Sequence, residues 1–90
     1  MKYELQAKYD RRSSFYGKAK VEEIGDTITL TSYDSEVARV VNGKFEINSN
    51  IQKDLLYSQT TLRHIREFYK QFVEFKALSK EEFREFEVSF

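Results

Sequence analysis

The 90 residues contain no cysteine, no proline and no tryptophan, and only three glycines. Without cysteine there is no disulfide framework and no thiolate metal site, and a small domain that folds unstapled fits a reducing cytoplasm. Without proline, and with its glycines isolated, the chain holds no linker, no low-complexity segment and no glycine loop of the kind that cradles phosphate. No internal repeat is visible. No apolar run approaches the ~18 residues of a membrane span. The start, Met1-Lys2-Tyr3-Glu4-Leu5-Gln6, has no apolar region of a signal peptide. The expectation is a protein of the bacterial cytoplasm with no membrane partner. A single histidine, His64, further narrows the chemistry that the side chains can perform.

Net charge is also missing, because fifteen basic residues balance fifteen acidic ones. That balance weighs against a dedicated nucleic-acid binder, which carries a basic surplus. The charges are nonetheless segregated. Residues 1–20 hold six basic groups against Glu4 and Asp10, and residues 21–48 hold six acidic groups against Arg39 and Lys44. A basic end and an acidic middle either pair within the fold or form polarised faces.

Aromatic residues are abundant, with eight phenylalanines and six tyrosines. Aliphatic residues are sparse, so most of the aromatics must build the core. A chain of this length buries only about 60–65% of its unfolded surface and keeps a margin of a few kcal/mol. A homodimer would be a natural supplement.

The pattern predicts one α+β domain over residues 1–90. Residues 2–10 alternate, with Tyr3, Leu5, Ala7 and Tyr9 on one side, as a half-buried strand does. Asp10-Arg11-Arg12-Ser13-Ser14 is a polar turn. A second strand is expected from Phe15 to Ile24, with Gly25-Asp26 as its turn, and a third from Thr27 to Tyr33. Glu36–Val41 and Lys44–Asn48 complete an antiparallel meander of about five strands. The Asn42-Gly43 pair between them is a strong hairpin signal, since both residues tolerate positive φ. Residues 51–57 read as loop or a short helical turn. Ser58 can cap a long amphipathic helix on which Leu62, Ile65, Phe68, Tyr69, Phe72, Val73 and Phe75 share roughly 160° of arc. Arg63, Arg66 and Lys70 are expected on the opposite, exposed face, with Arg63–Glu67 and Lys70–Glu74 as ion pairs four residues apart. Ser79-Lys80-Glu81-Glu82 is a capping-box pattern that can open a short second helix. The alternation of Phe86, Val88 and Phe90 fits a terminal strand instead.

One stretch of this chain has a recognisable character. Ser14-Phe15-Tyr16-Gly17-Lys18-Ala19, Ser32 to Ala38, Asn42-Gly43-Lys44 and the block Tyr57-Ser58-Gln59-Thr60-Thr61-Leu62-Arg63-His64-Ile65-Arg66-Glu67-Phe68 carry a resemblance. The chain resembles an uncharacterised family of short proteins found in phages, prophages and plasmids of Gram-positive bacteria. The resemblance covers about two-thirds of the chain, and Phe75-Lys76-Ala77 with Ser79 continues it. It implies a mobile-element origin and no established activity.

Catalytic machinery is not legible. His64 would need a nucleophile elbow or a carboxylate beside it, and no such pattern occurs. A histidine at the border of an apolar helix face is expected to hydrogen-bond the sheet or a loop. Glu81, Glu82, Glu85 and Glu87 read as a solvated face, and neither a metal nor another cofactor is expected. Thr60, Thr61, Arg63 and His64 form the most unusual cluster, where a helix start, hydroxyls and cations could hold a phosphate or carboxylate. The favoured reading is structural, with Ser58 and Thr61 satisfying free N–H groups at the helix start and Arg63 pairing with Glu67.

The expected role is therefore a non-catalytic accessory protein that binds another protein stoichiometrically. An inhibitor of a host defence system such as a CRISPR nuclease is one concrete form. Its candidate contacts are the acidic Glu22, Glu23, Asp26, Asp34 and Glu36, which could occupy a basic groove. The alternative is a small nucleic-acid-binding regulator that uses Arg11 and Arg12, or the Arg63, Arg66 and Lys70 ridge.

Overall fold

β-branched and aromatic residues between short turn signals make the first half of the chain a sheet. The computed structural model describes residues 1–90 and places strands at β1 Lys2–Glu4, β2 Ala19–Ile24, β3 Thr27–Ser32, β4 Ser35–Val41 and β5 Lys44–Asn48. These pair antiparallel in chain order. Helices follow at α1 Lys53–Leu56, α2 Gln59–Phe72 and α3 Lys80–Arg84, then β6 Glu87–Val88. β6 lies parallel to β5 and completes a six-stranded sheet. The C-terminus thus holds both the short helix and the strand that the sequence left as alternatives.

Turn chemistry fixes the register. Asn42 and Gly43 stand at φ 51° and 81°, the double positive of a type I′ hairpin. Between Leu30 and Thr31 the β3–β4 register shifts, leaving Val37 as the extra residue of a bulge. As a result Val37 and Ala38 are both buried although they are consecutive.

One sheet face carries the core. Leu30, Ala38, Val40, Phe45 and Ile47 meet Leu62, Ile65, Phe68 and Tyr69 of α2. Phe45 is the centre of an aromatic cluster, with ring centroids 5.0 Å from Tyr69, 5.1 Å from Phe86 and 6.1 Å from Phe83. Five of the fourteen aromatic residues are buried in the core and four more pack against it, but twelve of the seventeen core residues are aliphatic. The other sheet face is open to solvent and carries Glu22, Thr29, Arg39 and Glu46 in one cross-strand row. Arg39 and Glu46 pair there at 2.8 Å.

α2 runs 14 residues. Ser58 caps it by accepting the Thr61 N–H at 3.2 Å. Ser79 and Glu82 cap α3 reciprocally, at 3.2 and 2.9 Å. Val73 and Phe75 lie past the end of α2 and are exposed, so the buried stripe ends with the half-buried Phe72. Glu87 ties the C-terminal elements together, accepting from Lys53 and Tyr57 of the α1 region. Burial and this carboxylate together hold the Tyr57 hydroxyl protonated well above its ordinary range.

Two strand expectations are corrected. The alternation of residues 2–10 is strand only over Lys2–Glu4. Beyond Leu5 the backbone leaves β2 and crosses to the helix, where Gln71 donates to the Gln6 carbonyl at 2.8 Å and Tyr9 N–H donates to Glu67 at 2.9 Å. Phe15–Lys18 is not strand either. Tyr16 and Gly17 take φ 53° and 74°, and Lys18 N–H bonds the Phe15 carbonyl at 2.9 Å, which makes a tight turn.

Candidate functional site

The exposed helix ridge read from the sequence is not free-standing. The crossing segment 6–12 packs along it and leaves Arg63, Arg66 and Lys70 half-buried. Neither expected ion pair forms. Glu67 is 2% exposed and accepts from Tyr9 N–H and Gln71, while Arg63 Nη1 meets Asp10 Oδ1 at 3.4 Å. Arg66 Nε donates to the Leu78 carbonyl at 3.0 Å. Lys70 Nζ stands 5.7 Å from the Phe75 ring, which packs edge-on against Tyr9 at 4.8 Å.

This packing merges the two basic patches that the sequence offered separately. Arg11, Arg63, Arg66 and Lys70 line one groove of about 210 Å³. Arg63 also lines a neighbouring cleft of about 370 Å³ with Arg12 and Lys18. Six cations therefore share one face. The two carboxylates among them, Asp10 and Glu67, are already engaged by Arg12 N–H, Arg63, Tyr9 N–H and Gln71.

The larger cleft opens where three segments meet. The loop before β2 supplies Ser14, Phe15, Tyr16 and Lys18, the β3–β4 turn supplies Tyr33, and the start of α2 supplies Gln59, Thr60, Arg63 and His64. Tyr33 N–H donates to the Lys18 carbonyl at 2.7 Å and locks the loop to the turn. Tyr16 and Tyr33 are 72% and 51% exposed, and both sit at positive φ, 53° and 57°, a region that aromatic residues rarely adopt. No carboxylate lines this cleft.

His64 forms its floor. It is 1% exposed, with its Nδ1 2.7 Å from Ser32 Oγ on β3 and its ring edge-on to Phe15 at 4.7 Å. The expected bond to the sheet is present, but the ring is buried rather than at a border. Nε2 has no protein partner among the hydrogen bonds, and no fully buried side-chain polar atom in the chain lacks one. Nε2 therefore reaches the cleft that His64 lines. Burial lowers the imidazole pKa below its ordinary value, against the upward pull of Asp10.

The acidic candidates do not converge. Asp26 and Asp34 occupy the turns at opposite ends of β3, a strand of six residues that alone spans roughly 17–20 Å. Glu23 accepts the Tyr3 hydroxyl at 2.5 Å, and burial with that bond pushes Tyr3 up to about 12. Glu22 faces solvent between Lys2 and Thr29, and Glu36 pairs across from Thr31. No three acidic or histidine side chains stand together to hold a metal ion. Sequence reasoning marked Thr60, Arg63 and His64 but missed Tyr16 and Tyr33. The available signal was an aromatic residue placed beside Gly17 and Asp34, in turn positions that favour glycine or asparagine.

No helix is long and apolar enough to cross a membrane. Neither a curated protein nor a solved structure matches the chain. A family match covers residues 3–85, which includes all three segments that build the cleft. The resemblance to an uncharacterised family holds at that level, and the chain belongs to a family of unknown function, DUF8033.

Proposed function

We propose that this chain is a non-catalytic binding module of mobile-element origin, acting in the bacterial cytoplasm through its basic face on a phosphate backbone, best a single strand. One observation carries the reading: Arg63 joins the Arg11–Arg12 loop to the Arg66–Lys70 ridge, and the intervening carboxylates are spent on internal bonds. Cations in a groove beside exposed tyrosines are the combination that single-strand binders use, charge for the backbone and rings for the bases.

The test is fluorescence anisotropy with labelled single-stranded DNA and RNA at low and moderate salt. Salt-sensitive binding that Arg63→Glu or Arg66→Glu weakens supports the reading. No binding at low salt removes it.

A second reading keeps the protein partner, as a stoichiometric inhibitor of a host-defence nuclease. Asp34 and Glu36 favour it, both exposed at one sheet end, where they suit a basic groove. Affinity purification from the native host with and without nuclease separates the two readings. A nuclease-resistant protein partner supports the second, and nucleic acid alone supports the first. Sedimentation of the same sample tests for a homodimer.

A further inference from the structure

We propose that the cleft between Tyr16, Tyr33 and the start of α2 is a nucleotide site. In it the phosphate of a nucleoside phosphate faces Arg63, the His64 Nε2 and the first amides of α2, and the base stacks on the tyrosines. The inference deepens the basic-face reading and rests on it.

Four observations converge. The rim is cationic, with Arg12, Lys18 and Arg63 and no carboxylate, so the ligand is an anion. The helix start offers unpaired N–H groups beyond the one that Ser58 takes, and such ends favour phosphate. His64 supplies the independent pointer. Its ring is pinned by Ser32 on one side, and its opposite nitrogen, on a side chain 1% exposed, has no protein partner and reaches the cleft. When Ser32 donates to Nδ1, the neutral imidazole carries its proton on Nε2 and donates into the cleft. Size and lining decide what is attached to the phosphate. A cleft of about 370 Å³ falls within the range of small-molecule sites and exceeds the needs of a bare phosphate. Its two exposed rings match a planar base.

The chemistry is common to a free nucleotide and to the terminal nucleotide of a strand. The test is isothermal titration of the whole chain with adenosine and uridine monophosphates, with adenosine, with inorganic phosphate, and with one oligonucleotide bearing either a 5′-phosphate or a 5′-hydroxyl. Binding of a monophosphate at least about tenfold tighter than phosphate or adenosine supports the site. A preference for the 5′-phosphorylated strand over the monophosphate makes the source a strand end, and the reverse makes it a free nucleotide.

Tyr16→Asn and Tyr33→Asn keep side chains that tolerate positive φ and remove the rings, so each lowers nucleotide affinity about tenfold in a folded protein. His64→Phe keeps the ring packing and removes the Nε2 contact, with a similar loss. Lys44→Glu, at the opposite end of β4 from Tyr33, leaves monophosphate affinity unchanged. Oligonucleotide binding without any response to monophosphates at millimolar concentration overturns the site and leaves the basic face standing. Phosphate binding as tightly as the nucleotide overturns it as well. Silence from every probe overturns both.

Discussion

Tyr16 and Tyr33 sit at positive φ with no glycine freedom to offset the strain. A left-handed residue with a Cβ costs on the order of 1–2 kcal/mol, less for asparagine. Tyr16 is mostly exposed and gives up little packing when replaced. Tyr16→Asn is therefore expected to raise stability by about 0.5–1 kcal/mol, read from urea unfolding. A stable fold would not choose that tyrosine, which is why its position resists reading from periodicity alone. His64 makes a second residue-scale prediction. Burial, opposed by Asp10, holds its folded-state pKa below 6.5, with Arg12, Lys18 and Arg63 also facing it. Above pH 6.5 both folded and unfolded states carry it neutral. As pH falls below 6.5 the unfolded state takes up the proton first, so stability declines toward the lower folded-state pKa. His64→Phe flattens that slope in unfolding measurements from pH 7.5 to about 5.

At the scale of elements, local chemistry was legible wherever a turn or cap carried its own signature. Asn42-Gly43, Ser58 and the Ser79–Glu82 box all formed as their sequences imply. Removing one such signature has a defined cost. Ser58→Ala is expected to lose about 1 kcal/mol by urea titration, with the Thr61 N–H left open. The alternating stretch from Leu5 to Tyr9 was not legible. Its alternation is real, but distant groups capture its backbone instead of a neighbouring strand. Glu67 is the chief of these, a buried carboxylate on α2 that accepts the Tyr9 amide and the Gln71 side chain. Nothing local to residues 5–9 announces a partner so far along the chain. Glu67→Ala strands the Tyr9 amide, so a loss of about 1–3 kcal/mol is expected. Faster hydrogen exchange at Tyr9 would locate that loss in the crossing segment.

For the whole molecule, a net charge of zero concealed the basic face. Acidic residues spread over the turns and the open side of the sheet, while six cations gather where the crossing segment meets α2. Asp10 and Arg63 meet across 53 positions, a juxtaposition that only the completed topology creates. If all six cations contact phosphates, the logarithm of affinity for a single strand falls against that of salt with a slope of about −4. Replacing Arg66 and Lys70 by glutamine flattens the slope by about 1.4, a change measured in the same anisotropy titration. The parallel seat of β6 beside β5 has a separate consequence, in time. β5 is complete at Asn48, but the strand that covers its edge arrives only with Glu87 and Val88. At ordinary translation speeds this interval lasts on the order of a few seconds. During it the nascent chain emerging from the ribosome presents an open edge flanked by Phe45 and Ile47, and any chaperone or neighbouring polypeptide meets an unpaired strand before the protein's own tail can claim it.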